Sequence, residues 1–195
     1  MYNPRMATVG QVRKLTYDDL LAMPDDGLRH EIIDGVLYVS PSPGTPHQFT
    51  VGKLHQAIAN YLDEHPAGEV YLAPVDVVFT RHDVVEPDLL FISTARLPVL
   101  TERNVSGAPD LAVEVLSPST RRVDLTLKRK LFEREGVREY WIVDPVEGTI
   151  DVHRRVGDAL VPSAGLSKHA GDVLTSPLLP GFEVPLARLF REPRA

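Results

Sequence analysis

The sequence predicts an α+β protein in which helices flank one mixed central β-sheet. An Asp34-Gly35 pair joins two short apolar runs, and such a pair is the strongest short-range signal of a β-hairpin. Residues 47–64 carry apolar side chains at helical spacing, which indicates an amphipathic helix. Residues 111–116 are a short, mainly apolar run before a Ser-Pro-Ser-Thr turn, which is typical of a buried strand. Hairpins, helices and single strands therefore follow one another along the chain.

The elements of the first third of the chain follow from local signals. Thr16 precedes two aspartates, and an N-cap oxygen followed by acids at the positive end of the helix dipole predicts a short helix over residues 17–23. The Asp-Gly turn predicts an N-terminal hairpin of residues 30–33 and 36–39. The helix of residues 47–64 has one apolar side, formed by Val51, Leu54, Ile58, Tyr61 and Leu62.

The middle and the end of the chain predict further strands around a second long helix. Two apolar runs, residues 69–79 and 84–92, predict a second hairpin. Pro87 lies inside the second run, where a proline indicates a strand edge, a bulge or a bend. A loop over residues 93–108 precedes the buried strand. The segments predicted after it are a helix at 122–135 that ends at Gly136, strands at 140–143, 149–154, 159–161 and 172–175, and a last turn at 184–190.

The composition excludes several classes of protein. The chain has no cysteine, which excludes disulfides, thiol catalysis and cysteine-ligated zinc. No apolar run approaches the length of a membrane span, and the first fifteen residues lack the apolar stretch of a signal peptide. We therefore expect a cytoplasmic protein with no membrane partner. A length of 195 residues predicts one domain over residues 1–195.

The charge distribution limits how the chain could contact nucleic acid. A net charge of −6 argues against broad, non-specific binding, because such binding depends on neutralising phosphates. A local basic face remains open. The simpler interpretation of the basic residues is a solvated helix paired with Asp124, Glu133, Glu135 and Glu139. The basic cluster comprises Arg121, Arg122, Lys128, Arg129, Lys130, Arg134 and Arg138.

Glu114 is the first candidate functional residue. It stands among leucine and valine in the predicted buried strand, where an unpaired carboxylate is costly. It therefore needs a cationic partner, which could be an arginine, a lysine or a metal ion. A glutamate held by an ordinary salt bridge is the alternative to a functional group.

A helical wheel of residues 123–132 directs one lysine toward the protein interior. Apolar residues form the two edges of an arc, and Asp124 and Lys128 fall between those edges. An i,i+4 pair at the rim of the core is one interpretation, worth a few tenths of a kcal/mol. The functional interpretation is that Lys128 reaches Glu114 and helps to position or activate water.

These residues resemble the PD-(D/E)XK nuclease superfamily, and more closely the Uma2 family. The resemblance depends on Pro87-Asp88, on Glu114 in the next apolar strand and on a lysine after it. It covers about residues 15–155, with residues 156–195 as a C-terminal extension. In the superfamily pattern the lysine would stand at position 116, where this chain has Leu116, and Lys128 is the matching position for Uma2-like proteins. The matching stretches are residues 29–35, 40–43, 47–48, 86–91, 108–120 and 136–145.

The resemblance implies a single restriction-endonuclease-like domain with an N-terminal hairpin and a divalent metal site. Mg²⁺, or Mn²⁺, would be held by Asp88 and Glu114 with help from a main-chain carbonyl near Val115. Lys128 would orient the attacking water or neutralise charge on the phosphate. Glu31 would bind a second metal or anchor Lys128, and an ordinary hairpin glutamate is an equal alternative.

Three further residues are minor candidates. His47 and Gln48 begin a predicted helix, where a phosphate contact is one interpretation and a capping or surface position for His47 is the other. Asp110 shares a strand face with Glu114, because residues four apart on a strand point to the same side.

The resemblance implies a metal-dependent endonuclease that hydrolyses DNA phosphodiester bonds. One alternative is an inactive nucleic-acid-binding or regulatory module on the nuclease fold, which the displaced lysine and the acidic net charge favour. Another is a hydrolase of a different phosphoester. DNA is the expected partner, and a homodimer would supply the two sites that double-strand cleavage requires.

Overall fold

A computed structural model describes residues 13–190 and contains one long helix, several short ones and thirteen strands in that range. The helices are α1 (Tyr17–Leu21), α2 (Thr45–Glu64), α3 (Arg121–Val123) and α4 (Arg129–Glu135), with a π-helical turn (Asp124–Lys128) between the last two. The strands are β1 (Arg29–Ile33), β2 (Val36–Ser40), β3 (Gly68–Leu72), β4 (Val77–Thr80), β5 (Asp83–Val85), β6 (Leu89–Ser93), β7 (Val105–Ser106), β8 (Leu111–Val115), β9 (Glu139–Asp144), β10 (Thr149–Val156), β11 (Ala159–Ser167), β12 (Val173–Ser176) and β13 (Leu179–Pro185).

The strands form two mixed sheets and a separate hairpin. The six-stranded sheet has the order β11-β10-β9-β8-β6-β3, and the five-stranded sheet has the order β2-β1-β5-β4-β7. Each sheet contains one parallel pair, β8 with β9 and β4 with β7, and its other pairs are antiparallel. Strands β12 and β13 pair only with each other among the described residues. The predicted α+β class is confirmed, but the strands form two mixed sheets where one central sheet was predicted.

The six-stranded sheet lies between two apolar layers. On one face, Val113 and Val115 pack in a cluster that also contains residues of α2 and of the C-terminal β12–β13 hairpin. On the other face, Ala112 packs in a cluster that also contains residues of the five-stranded sheet and of α4. Because side chains alternate along a strand, Glu114 faces the second layer, between the two sheets.

The N-terminal hairpin forms as the sequence predicts. Strands β1 and β2 pair antiparallel with Ile33 opposite Val36. The two turn residues, Asp34 and Gly35, have φ values of 53° and 79°, the left-handed conformation that a two-residue type I′ hairpin requires. This turn fixes which residues of β1 point toward the other sheet.

The second predicted hairpin forms where β4 and β5 pair antiparallel, but neither of its two long strands stays within one sheet as predicted. Residues 69–79 divide into β3 and β4, and residues 84–92 divide into β5 and β6. Strands β3 and β6 pair in the six-stranded sheet, whereas β4 and β5 pair in the five-stranded sheet. The divisions fall at Pro74 and Pro87, which cannot donate a ladder hydrogen bond. The chain therefore passes from one sheet to the other at each proline.

Several elements differ in a smaller way from those predicted from the sequence. The predicted loop at 93–108 contains a 3₁₀ turn (Thr94–Val99) and β7, which adds to the five-stranded sheet. The predicted continuous helix at 122–135 is interrupted by the π-helical turn. The strand expected at 159–161 extends to Ser167, and β13 was not predicted. Within residues 13–190, no helix combines the length and hydropathy that crossing a bilayer demands.

Asp110 forms structural hydrogen bonds at the beginning of β8 and is not part of the candidate site. Its carboxylate accepts a hydrogen bond from the Ser93 backbone N–H at 2.8 Å and one from Arg138 at 3.1 Å. Its carbonyl oxygen accepts from the backbone N–H groups of Arg138 and Glu139. Asp110 thereby joins β6, β8 and β9 at the end of β8 opposite to Glu114. The proposed site role of Asp110 is therefore wrong.

We expect Asp110→Asn to destabilise the protein in a pH-dependent way. Burial alone raises the pKa of Asp110, but the Ser93 N–H and the guanidinium of Arg138 hold it below 3.8. A lowered pKa in the folded state means that the charge stabilises the fold above the unfolded pKa and stops doing so in acid. The expected loss at pH 7 is about 1–3 kcal/mol of unfolding free energy, measured by urea unfolding.

The loss should shrink as the pH falls through the lowered pKa of the folded state. Asp63→Asn, at an exposed position of α2, serves as the control and should change little at any pH. An equal destabilisation by Asp110→Asn at neutral and at acidic pH would contradict this account.

Candidate functional site

Five buried charged side chains meet where the two sheets face each other. Glu31 comes from β1, Asp88 from the connection between β5 and β6, and Glu114 from β8. Asp124 and Lys128 come from the two ends of the π-helical turn. Each of the five is 3% exposed or less, although charged residues are rarely buried without partners. The arrangement therefore rests on specific ion pairs.

The ammonium group of Lys128 binds the acids of this cluster. Its Nζ lies 2.8 Å from Glu31 Oε1, 2.9 Å from Glu114 Oε1 and 3.5 Å from Asp124 Oδ1. The Glu31 oxygen also accepts a hydrogen bond from the Glu86 backbone N–H at 2.8 Å. Glu31 thus connects the hairpin, the lysine and the strand connection that carries Asp88.

The π-helical turn places Lys128 and Asp124 on the inner side of the helix. The Tyr140 hydroxyl of β9 donates a hydrogen bond to the Asp124 carbonyl at 3.1 Å, which fixes the turn against the six-stranded sheet. Single π-helical turns are common at functional sites. The turn therefore has a partner in the core and is a defined part of the site.

Lys128 is protonated at neutral pH. Burial on its own lowers the pKa of this lysine, but the carboxylates of Glu114, Glu31 and Asp124 together raise it well above 10.5. A lysine with such a pKa cannot accept a proton at pH 7. Its chemical contribution is a fixed positive charge.

Asp88 is held by two side chains and one backbone group. Its Oδ1 accepts from Arg29 Nη1 at 2.9 Å. Its Oδ2 lies 2.9 Å from His47 Nε2 and accepts from the Val115 backbone N–H at 2.8 Å. Burial raises the pKa of Asp88, but His47, Arg29 and the Val115 N–H outweigh burial and lower it. Asp88 is therefore a carboxylate at neutral pH.

Acidic groups exceed cationic groups in the buried cluster. Among the described residues, the four acids Glu31, Asp88, Glu114 and Asp124 pair with two permanently cationic side chains, Arg29 and Lys128, and Asp88 also contacts the imidazole of His47. Burial, with the neighbouring carboxylates, raises the pKa of Glu114 well above 4.5 and also raises that of Asp124. The cluster thus has a strong tendency to take up a proton or another cation.

Two of the acids, Asp88 and Glu114, line a small cavity that adjoins a wider groove. The cavity, of about 10 Å³, has room for roughly one water-sized sphere. Asp88, Arg29 and His47 line both the cavity and the groove of about 360 Å³. The other groups along the groove include Ser42, Gln48 and Glu86, and burial raises the pKa of Glu86 to about 7.

The donor set suits a hard divalent cation, but the ligands are not yet arranged as a metal site. Asp88 and Glu114 supply carboxylate oxygens to one cavity, and Mg²⁺ prefers such ligands together with water. Within residues 13–190, no three Asp, Glu, His or Cys side chains converge as a preformed metal site. The excess of carboxylates fits an added cation, provided that Arg29 releases Asp88.

The structure brings together most of the candidates named from the sequence. Asp88, Glu114, Lys128 and Glu31 lie in one cluster, and the Val115 backbone contacts Asp88. His47 is 7% exposed and bound to Asp88, so its interpretation as a surface residue is wrong. Gln48 is exposed on the groove.

Most of the basic cluster pairs with acids on other elements. Arg121 contacts Asp144 at 2.6 Å, and Arg138 contacts Asp110. The i,i+4 pairing predicted from the sequence includes Arg129 with Glu133, at 3.9 Å. A single basic face for nucleic acid is therefore not what these residues form.

Arg29 is the site residue that the sequence interpretation missed. A signal for it existed, because Arg29 and Glu31 are two apart on a strand and share one face. Its partner Asp88 lies 59 residues away in the sequence, which no local pattern reveals.

Comparisons with known proteins identify the family of this chain and a solved structure with a similar fold. A crystal structure from Anabaena variabilis, described as a putative nuclease belonging to DUF820, is similar with a TM-score of 0.75 and 20% identity over 90% of this chain and 97% of that chain. The type IIG restriction endonuclease BpuSI has a TM-score of 0.38 and 17% identity over 73% of this chain and 14% of that chain. No curated protein matches. The Uma2 model, described as putative restriction endonuclease, matches residues 17–187, and the chain therefore belongs to the Uma2 family.

Proposed function

We propose that this protein is a divalent-metal-dependent endonuclease that hydrolyses DNA phosphodiester bonds. The observation that carries the proposal is the excess of buried carboxylates at the junction of the sheets. Uncompensated buried charge is unfavourable, and a divalent cation would balance the excess of acidic over cationic side chains that remains after Arg29 and Lys128 are counted. The family description, putative restriction endonuclease, supports a nuclease rather than another metal-binding protein.

Asp88 and Glu114 are the proposed ligands of Mg²⁺, or of Mn²⁺. Both line the small cavity. A main-chain carbonyl near Val115 is the proposed third ligand, because the hydrogen bond from the Val115 N–H to Asp88 brings this backbone next to the cavity. A divalent cation would supply Lewis acidity to the phosphate and to the attacking water. The low pKa of Asp88 keeps this ligand ionised at neutral pH.

Lys128 is proposed to stabilise negative charge that develops on the phosphate. Its raised pKa supports this role over proton abstraction. A fixed charge in a buried site is worth more than the same charge in water. Glu31 is proposed to anchor the ammonium group, because it contacts both Lys128 and the Glu86 N–H.

DNA is proposed to reach the site through the groove. The groove brings the side chains of Arg29, His47 and Gln48 to the outer side of Asp88, and these groups are suited to phosphate contacts. The net charge of −6 implies that binding is local and that it depends on these few groups. A homodimer, which would supply two sites to one duplex, is part of the same proposal.

An inactive binding or regulatory module is the second candidate function. The occupancy of both Asp88 oxygens by protein groups favours it, because an enzyme must free at least one of them to bind metal. Metal binding without cleavage of DNA would support this candidate, or a hydrolase of a different phosphoester.

We expect the wild-type protein to nick or cut plasmid DNA when Mg²⁺ or Mn²⁺ is present. Asp88→Asn, Glu114→Gln and Lys128→Gln should each lower the rate by about 100-fold or more, because each removes a metal ligand or the fixed charge. The measurement is the loss of supercoiled plasmid over time, with circular dichroism to verify folding.

Lys130→Gln is the matched control for Lys128→Gln, because Lys130 is exposed on the same helical segment. It should cleave like the wild type. Cleavage that persists in both Asp88→Asn and Lys128→Gln would reveal a contaminating nuclease and would contradict the proposed site.

We also expect Mg²⁺ or Mn²⁺ to raise the melting temperature of the wild-type protein. Binding at 100 times Kd adds about 2.7 kcal/mol of stability, which corresponds to roughly 5–10 °C for a chain of this size. The shift should disappear in Asp88→Asn and in Glu114→Gln, measured by differential scanning calorimetry at constant ionic strength.

Glu183→Gln, a substitution of an exposed acid in β13, should retain the full shift. A wild-type protein that melts at the same temperature with and without these ions would count against a metal site. So would a shift that both ligand variants keep.

A further inference from the structure

Arg29 stands between the buried cluster and the groove. Its side chain is 19% exposed and lines both the small cavity and the groove. Its guanidinium contacts Asp88 Oδ1 at 2.9 Å and approaches Glu86 Oε2 at 3.9 Å. Both acids line the groove, but Asp88 is 3% exposed whereas the Glu86 side chain is 17% exposed, so the guanidinium lies between a buried acid and a more accessible one.

We propose that Arg29 exchanges Asp88 for the scissile phosphate of the substrate when a divalent cation binds. Arg29 would then bind Asp88 before the cation arrives and bind the substrate phosphate afterwards. The inference rests on the proposed metal-dependent nuclease function and names a residue and a regulatory contact that this function alone does not require.

The contacts of Asp88 show why metal and Arg29 compete. Oδ2 already has two partners, His47 Nε2 and the Val115 N–H. Oδ1 has Arg29 Nη1 and is the oxygen with the smaller number of partners. A cation held by Asp88 would compete with the guanidinium for this carboxylate and would repel it electrostatically. Under the proposal, the binding of metal would free Arg29 from Asp88.

The groove offers a freed Arg29 both an acidic neighbour and space. Glu86 Oε2 lies 3.9 Å from the guanidinium and lines the groove. An arginine side chain is protonated at any pH near neutral, so Arg29 keeps its positive charge after it leaves Asp88. A planar guanidinium binds phosphate with two parallel hydrogen bonds. A phosphate in the groove next to Asp88 fits this geometry.

Another arginine–aspartate pair provides a comparison within the same fold. Arg138 contacts Asp110, which is fully buried, at 3.1 Å. Asp110 has its structural partners in Ser93 and in the neighbouring strands, and it lines neither the cavity nor the groove. The Arg138–Asp110 pair therefore serves as a structural control for the Arg29–Asp88 pair, because neither of its residues lines the cavity or the groove.

The test compares Arg29→Gln with Arg138→Gln in the full chain. Mn²⁺ affinity is measured by isothermal titration calorimetry, and affinity for a short DNA duplex is measured by fluorescence anisotropy with Ca²⁺ at fixed salt. Arg29→Gln should bind Mn²⁺ about 10-fold more tightly and the duplex about 10-fold more weakly, since each effect equals one charged hydrogen bond. Arg138→Gln should change neither affinity.

Arg29→Lys keeps the charge and separates the two roles of the residue. It should bind Mn²⁺ like the wild type but bind the duplex more weakly, because an ammonium lacks the planar pair of donors. Opposite changes in metal and DNA affinity are not expected of a residue that only supports the fold. Arg29→Gln with unchanged or weaker Mn²⁺ affinity would overturn the exchange.

Failure of the exchange is distinguishable from failure of the nuclease proposal. If the wild type binds Mn²⁺ and cleaves DNA while Arg29→Gln keeps wild-type affinities, only the exchange is overturned. If neither protein binds Mn²⁺, both proposals are overturned. If Mn²⁺ binds only to Arg29→Gln, the competition between Arg29 and metal is supported, and Arg29 prevents the wild-type protein from binding Mn²⁺.

Discussion

The structure depends on one ammonium group, that of Lys128, held among three buried carboxylates. Glu31 belongs to the five-stranded sheet, Glu114 to the six-stranded sheet and Asp124 to the helical segment that carries the lysine. Ion pairs at this depth gain little net stability over apolar packing, but the removal of one partner is costly. Lys128 therefore holds the two sheets and the helix in one relative position, and its removal would strongly destabilise the fold. Apolar contacts between the same layers fill the space around it.

Local signals predicted most elements of the fold and failed where the chain changes sheets. The type I′ turn at Asp34-Gly35 and the long helix α2 depend on neighbouring residues alone, and both formed as predicted. The assignment of strands to two sheets depends on contacts between distant segments, which the sequence pattern does not contain. Pro87 indicated an interruption, but not that the chain moves into a different sheet there, and the interruption at Pro74 was not predicted.

The site was predictable where periodicity carried the information. The helical wheel directed Lys128 inward, and the side chain is 1% exposed, even though the turn that carries it is π-helical. Arg29 and His47 bind Asp88 across 59 and 41 residues of sequence, so their roles became visible only in three dimensions. Asp110 shows the opposite error: an acidic residue at a suitable strand position has a structural role at the far end of β8.

The balance of charge connects the stability of this fold to its proposed chemistry. A cluster with more carboxylates than cations is unfavourable by itself, and natural proteins accept such local conflicts at functional sites. Burial raises the pKa of Glu114 and Asp124, so the uptake of a proton is one way in which this conflict can be relieved. Under the proposed function, a divalent cation relieves it instead, and Arg29 becomes unnecessary to Asp88. The acids that strain the metal-free fold are then the reason that metal and substrate are taken up together.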